Sequence, residues 1–341
     1  MNKILVTGGC GYIGSHTLVD LIDHGFDVIS VDNLCNATEN SLTGIYKITG
    51  KRVKNYQVDL TNASALTNVF SENEDVVGVI HFAALKAVGE SVEKPLLYYK
   101  NNLIGLLNIL DNMSTFNIPN LIFSSSCSVY GNTGVLPVTE HTIRQEAESP
   151  YGRTKQMGED ILMDLAKTDS QMSTILLRYF NPAGAHESAY IGESPANPAS
   201  NLVPVITEAA ANKRPPLTVF GTDYPTRDGS CIRDYIHVMD LAHAHTLALK
   251  NLLENKNEQK CSVFNLGIGK GVSVLEALAA FENETQIKAP FVIGDRRPGD
   301  VVEIYADYQK ASVKLGWIPK RSIGDIMRTA WAWEKVKNQE A

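Results

Sequence analysis

Residues Lys3-Ile4-Leu5-Val6-Thr7 form a short apolar run of strand-forming side chains that passes without a spacer into Gly8-Gly9-Cys10-Gly11-Tyr12-Ile13-Gly14. A helical apolar pattern through Leu18, Leu21 and Ile22 follows. The segment therefore predicts strand, glycine turn and helix, the opening unit of a parallel sheet with crossover helices. Glycines at 8, 11 and 14 let the backbone turn tightly, approach a pyrophosphate and pack the helix on the strand. The helix N-terminus offers its unpaired N–H groups to phosphate charge. The spacing is GxxGxxG rather than the commoner GxGxxG, so the turn alone is weak evidence. A second apolar run, Asp27-Val28-Ile29-Ser30-Val31, strengthens it by ending in Asp32, eighteen residues beyond Gly14. A carboxylate there accepts hydrogen bonds from ribose hydroxyls and repels a 2′-phosphate, which points to NAD rather than NADP.

Strand and helix patterns go on alternating, with strands expected at 53–58, 76–82, 121–124 and 174–178 and helices near 40–49, 62–73, 96–112 and 151–166. The expected fold is α/β, a Rossmann-type doubly wound parallel sheet with a smaller mixed α/β substrate-binding domain. After Tyr179 the texture changes to NPAGAHESAYIGESPANPASN, a loop long enough to suspect function. The boundary is set there, giving residues 1–180 to the dinucleotide-binding domain and 181–341 mainly to the second domain. A return segment to the first domain is expected near 235–266.

Tyr151 and Lys155 stand about one helical turn apart in Ser149-Pro150-Tyr151-Gly152-Arg153-Thr154-Lys155. With Pro150 opening a helix, both project from one face, and the ammonium can favour the phenolate. Bringing a phenol from its ordinary pKa to neutrality requires ~4 kcal/mol of differential stabilisation, more than one lysine usually supplies. An oxidised nicotinamide would add the second positive charge. The alternative is two surface residues of an amphipathic helix. Ser124-Ser125-Ser126 follows an apolar strand and would deliver hydroxyls to the carboxyl edge of the sheet, though a serine cluster after a strand is also an ordinary turn.

A net charge of −7, with no basic run or aromatic-interleaved basic patch, argues against nucleic-acid binding. The longest apolar stretches are too short for a membrane span, and the start MNKILVTGG lacks a signal-peptide core. Cysteines at 10, 35, 127, 231 and 261 form neither CxxC pairs nor a disulfide pattern, so free thiols in the cytoplasm are expected. His243 and His245 face different directions on a helix and HExxH does not occur, so no metal is expected.

In order along the chain, TGGCGYIGSHT, VDNLCN, HFAALKAVGESV, SSSCSVYG, SPYGRTK, LLRYFNPAGAH, RDYIHVMDLA and GDRRPGD resemble the extended short-chain dehydrogenase/reductases, and within them the UDP-glucose 4-epimerase family, over nearly the whole length. The resemblance implies that Tyr151 is the base, that Lys155 tunes it and holds the nicotinamide ribose, and that Ser126 bonds the reacting sugar hydroxyl with help from Ser128. It implies NAD contacts from Gly8, Gly11, Tyr12, Ile13, Gly14, Asp32, Asn33, Asp59, Leu60, Phe82, Ala83, Lys86, Asn101, Ser126 and Tyr179 beside Tyr151 and Lys155. The UDP-hexose would be held by Lys86, Ser126, Ser128, Tyr151, Asn181, Asn201, Leu202, Arg233, Arg297, Asp300 and Ile304, which makes the second domain a nucleotide-sugar-binding one. Arginine suits a diphosphate through its planar donor fork. Arg178 lies within a strand, where pairing with a carboxylate is the plainer reading. A homodimer is implied as well.

The implied activity is interconversion of UDP-galactose and UDP-glucose by transient oxidation at C4, with weaker use of the N-acetylated pair. Ile304, seven residues past Arg297, stands where the family commonly has tyrosine or a small residue beside the sugar C2 substituent, and is intermediate in size. Three alternatives stay open. A nucleotide-sugar 4,6-dehydratase would follow its catalytic residue with Asp-Glu, whereas Cys127-Ser128 follow Ser126 here. An ordinary NAD-dependent alcohol dehydrogenase would release NADH each turn, and a noncatalytic NAD sensor would have little use for the serine, tyrosine and lysine.

Overall fold

The computed structural model describes residues 1–341 except 169–170, 197, 298–299 and 338–341. The strands are β1 (Lys3–Thr7), β2 (Asp27–Val31), β3 (Lys54–Tyr56), β4 (Val76–His81), β5 (Asn120–Ser126), β6 (Ser173–Tyr179), β7 (Asn181–Ala183), β8 (Leu217–Phe220), β9 (Ile232–Arg233), β10 (Tyr235–His237), β11 (Cys261–Leu266), β12 (Val272–Ser273), β13 (Phe291–Gly294) and β14 (Glu303–Ile304). The α-helices are α1 (Tyr12–Asp23), α2 (Asn40–Thr49), α3 (Ala63–Ser71), α4 (Val88–Glu93), α5 (Pro95–Tyr99), α6 (Gly105–Thr115), α7 (Pro150–Leu165), α8 (Leu202–Ala210), α9 (Val238–Leu253), α10 (Val274–Thr285), α11 (Gln309–Leu315) and α12 (Ile323–Val336).

Seven strands form one sheet in the order β11-β6-β5-β4-β1-β2-β3, and every pairing in it is parallel. Strand side chains alternate between faces, so Ile4 and Val6 enter one core while Leu5 enters the other. The first core takes Leu18 of α1 and Leu249 of α9, and the second takes Phe70 of α3, Leu106 of α6 and Leu162 of α7. Both faces are thus covered, which explains why β5 is buried at every position. A third core joins Val203 and Ile206 of α8, Val219 of β8, Phe281 of α10 and Ile326 of α12.

The helix expected over 96–112 runs without a gap from Pro95 to Thr115 as α5, a π-helical turn at Lys100–Ile104 and α6, with helical backbone at both junctions, and is preceded by the unexpected α4. Within the π-turn, the Asn102 amide accepts from Leu85 N at 2.9 Å and donates to Leu85 O at 3.0 Å and Thr154 Oγ1 at 3.0 Å. Single π-turns inside α-helices are rare and frequently stand at functional sites, and Asn101 of this one borders the cleft described below. Helix α7 starts as its sequence predicts, with Pro150 in the first turn and Ser149 Oγ accepting from Gly152 N at 3.2 Å.

Candidate active site

A cleft of about 1890 Å³ opens at the carboxyl ends of the strands, the usual ligand position of such sheets. At one end lies the glycine turn. Gly8 has φ +69°, and a Cβ on Gly14 would lie 2.1 Å from Gly8 O, so the turn tolerates no side chain there. Backbone and the N-terminus of α1 therefore face the cleft directly. The Asp32 carboxylate is held by Leu34 N at 2.9 Å and Cys10 N at 3.1 Å, and burial raises its pKa from the ordinary value. Asn33 Nδ2 donates to Asp59 Oδ2 at 3.0 Å. The turn and the adjacent carboxylate fit a dinucleotide whose ribose carries a free 2′-hydroxyl.

At the centre, β5 ends in Ser126, whose Oγ accepts from Ser128 N at 3.2 Å. Tyr151 and Lys155 reach the same space from α7. Burial pushes the Tyr151 phenol up to about 12, against a hydrogen bond with Ser126 that favours the phenolate. The Lys155 ammonium lies 6.0 Å from the Tyr151 ring centre and donates to Ser124 O at 2.6 Å. Helical spacing put the two on one face as expected, but the buried ammonium bonds a backbone carbonyl, and the phenol's pKa is raised rather than lowered. Burial brings Lys155 down to about 8, so its charge is present below that pH and fades above it. Removing it by Lys155→Met should raise the phenol's pKa further and move the low-pH limb of the rate profile to higher pH. An unchanged limb in a kcat against pH series would show that this ammonium does not tune Tyr151.

Toward the second unit, Asn181, Asn201, Leu202, Arg233, Arg297 and Asp300 border the cleft. Arg233 Nη1 donates to Val301 O at 2.6 Å, and Arg297 Nη2 to Asp300 Oδ1 at 2.6 Å. Pro298 and Gly299 of the arginine segment lie outside the described residues. Arg178 is a buried structural partner of Glu159 at 2.5 Å, and Arg296 pairs with Asp223 at 2.8 Å. Ser128 Oγ and Asn181 Oδ1 are buried without a hydrogen-bond partner, and such atoms are costly unless a ligand or water meets them.

Of the residues expected to touch ligand, all border the cleft except Ser128 and Ile304. Ile304 is 6 % exposed and packs in a cluster with Val129, Tyr130 and Phe180, so it stands behind the wall. Among the lining residues that were not foreseen, two stand out. Phe220 ends β8, is 43 % exposed and has the Arg297 guanidinium 5.4 Å from its ring centre. Glu193 is a buried carboxylate in the proline- and asparagine-rich loop. An exposed aromatic closing a short strand was a usable signal for the first, whereas nothing local distinguished the second.

A family profile described as GDP-mannose 4,6 dehydratase matches residues 5–330. A UDP-glucose 4-epimerase of Arabidopsis thaliana is 49% identical over 334 residues, covering 97% of this chain and 94% of that protein. The crystal structure of the UDP-glucose 4-epimerase from Bifidobacterium longum in complex with NAD+ and UDP is 43% identical, with a TM-score of 0.93 and 99% of each chain covered. That of the enzyme from Stenotrophomonas maltophila, with bound NAD and formylated UDP-arabinopyranose, is also 43% identical, with a TM-score of 0.96 and 100% of each chain covered.

Proposed function

Because the chain belongs to the family described by the GDP-mannose 4,6 dehydratase profile and, within it, to the UDP-glucose 4-epimerases, we propose that it is an NAD-dependent isomerase interconverting UDP-galactose and UDP-glucose. The observation that carries this reading is one continuous cleft joining the glycine turn to Arg233 and Arg297, with Ser126, Tyr151 and Lys155 between them. The dehydratase chemistry in the profile's description is disfavoured by Cys127 and Ser128 after Ser126, where elimination would use an Asp-Glu pair.

NAD, when bound, supplies a reversible two-electron acceptor for the sugar C4 position. Gly8, Gly11, Tyr12, Ile13 and Gly14 hold its pyrophosphate, Asp32 its adenosine ribose, with Asn33, Asp59, Leu60, Phe82, Ala83, Lys86, Asn101 and Tyr179 completing that half. Tyr151 as phenolate takes the 4-hydroxyl proton and later returns it, while Ser126 orients that hydroxyl. Arg233 and Arg297 grip the diphosphate, Asp300 orients Arg297, and Asn181, Asn201 and Leu202 bound the nucleotide sugar. Phe220 offers a flat face for the base. Firm anchoring of the diphosphate with looser contact to the hexose lets the ring turn over, so the reaction inverts C4. Incubating the purified protein with UDP-galactose and no added cofactor should yield UDP-glucose. A stable ketosugar, bulk NADH or no reaction would each replace this reading by the dehydratase, the dehydrogenase or the sensor.

Residues 1–180 with the segment 235–266 form the cofactor-binding part, and most of 181–341 forms the nucleotide-sugar part. The protein is a cytoplasmic homodimer. Support for the compartment is that Cys10, Cys35, Cys127, Cys231 and Cys261 are all free thiols, and none of the described helices is long and apolar enough to cross a membrane. Support for the dimer is the number of exposed apolar side chains on α5, the π-helical turn, α6 and α7, elements adjoining one another: Leu96 at 71%, Leu97 at 44%, Ile104 at 41%, Leu107 at 45% and Met157 at 37%. A lone chain rarely leaves such a patch in water. Leu96→Glu combined with Leu107→Glu should convert the dimer to monomer by sedimentation, and an unchanged mass would place the interface elsewhere.

Ile304 narrows the substrate range. It is stiff at χ1 and shares a buried cluster with Phe180, which lines the cleft, so the wall yields poorly to an acetamide at C2, at a cost of ~1–3 kcal/mol. UDP-glucose and UDP-galactose are therefore preferred, with weak use of the N-acetylated pair. Ile304→Tyr should abolish the acetylated activity and Ile304→Cys should raise it, read as the ratio of kcat/KM for the two pairs. A ratio unmoved by both changes removes Ile304 from this role.

A further inference from the structure

Glu193 puts a negative charge into a cleft whose proposed ligands are two diphosphates. Its side chain is only 8% exposed, and one oxygen, Oε1, accepts from Asn201 Nδ2 at 2.7 Å and lies 3.5 Å from Lys86 Nζ. The two partners come from opposite sides of the cleft. Lys86 follows β4 on the side of the glycine turn, and Asn201 is the residue before α8 on the other. The position of Glu193 is fixed from behind, since Trp333 Nε1 donates to Glu193 O at 3.0 Å and Gly192 packs against the Trp333 ring so closely that a Cβ would lie 2.4 Å from it. The glycine turn is tied in beside it, because Tyr12 OH donates to Gly184 O at 2.6 Å.

A buried carboxylate that only happened to lie here would repel both ligands, and replacing it would tighten their binding. Lys86, by contrast, is 56% exposed and long, so without a fixed anion its ammonium would sample many positions. We propose that Glu193 is a positioning residue that fixes the Lys86 ammonium over the cofactor pyrophosphate and, through the same oxygen, ties it to Asn201 on the nucleotide-sugar side. The clasp rests on the proposed placement of NAD and nucleotide sugar in this cleft. Its consequence is that cofactor retention depends on an acidic residue contributed by the substrate side.

The test measures NAD release from purified holoprotein during gel filtration and timed dialysis, a readout independent of turnover. Glu193→Gln keeps an oxygen for Asn201 but removes the charge facing Lys86, so the release rate should rise ~3-fold, the loss of one partly exposed ion pair. Lys86→Met should raise it similarly, and the double variant should be no faster than Lys86→Met alone, because the two act as one unit. NAD held as tightly as, or more tightly than, in wild type by Glu193→Gln, or effects that multiply in the double variant, would overturn the clasp. Failure of wild type to convert UDP-galactose would instead strike the epimerase reading, and the release measurements would still decide the role of Glu193. Thermal unfolding of each variant separates release from misfolding, since a folded Glu193→Gln protein with wild-type retention counts against the proposal.

Discussion

Tyr151→Phe is expected to lower turnover of UDP-galactose by at least ~100-fold, the lower range for losing a general base. The ring stays in place and only the hydroxyl is removed, so NAD content released on denaturation should remain equal to wild type, and so should the unfolding temperature. The size of the effect follows from the environment. Burial holds the phenol up at about 12 in the free protein, so the phenolate must be favoured by the hydrogen bond with Ser126, by Lys155 and by the positive charge of the oxidised cofactor. The neighbouring Tyr179 is engaged elsewhere, since it bonds the Ser124 hydroxyl and is raised above the ordinary phenol value by burial. A variant keeping more than a tenth of wild-type kcat would remove Tyr151 from its assigned role.

Gly14→Ala is expected to empty the protein of NAD and abolish activity in the absence of added cofactor. The new methyl carbon would lie 2.1 Å from Gly8 O, 2.9 Å from Gly8 C and 2.9 Å from Gly9 Cα, all backbone atoms. None can rotate away as a side chain could. The turn must open, and its N–H groups leave the arc that faces the cleft. Gly89→Ala is the control, since a Cβ there meets nothing within 4 Å. Cofactor content near wild type in purified Gly14→Ala, with the unfolding temperature unchanged, would show that the turn does not cradle the pyrophosphate.

The parts of this molecule that were legible in its sequence are those set by local rules. Lys3–Thr7 and Asp27–Val31 announced themselves as strands, Gly8 to Gly14 as a turn, and Ser149-Pro150 as a helix start, because apolar runs, missing side chains and caps act over a few residues. The helix over 95–115 was legible but its π-helical turn at Lys100–Ile104 was not, since Asn102 within that turn is held by hydrogen bonds to Leu85 and Thr154, distant in sequence. The Lys155 ammonium shows the same limit. Spacing predicted its face correctly, but only the tertiary structure reveals the Ser124 carbonyl that takes its hydrogen bond. Glu193 looked like one acidic residue in a long loop until Lys86 and Asn201 were seen on either side of it. Ile304 could be placed by counting from Arg297, but the count could not tell that the side chain is buried in a cluster with Val129, Tyr130 and Phe180 and does not line the cleft.

The sheet is completed out of chain order. Strand β6 ends at Tyr179, yet its outer neighbour β11 begins only at Cys261, and α9, which packs on α1 at the very start of the chain, ends at Leu253. During synthesis, then, the amino-terminal strands emerge long before the pieces that cover them. Until some 266 residues have left the ribosome, β6 presents an open edge and the apolar side of α1 lacks its partner. An amino-terminal fragment cut near residue 180 would keep that open edge and uncovered face, so it is expected to aggregate rather than fold as a separable module. They fold as one because the first is finished by the second.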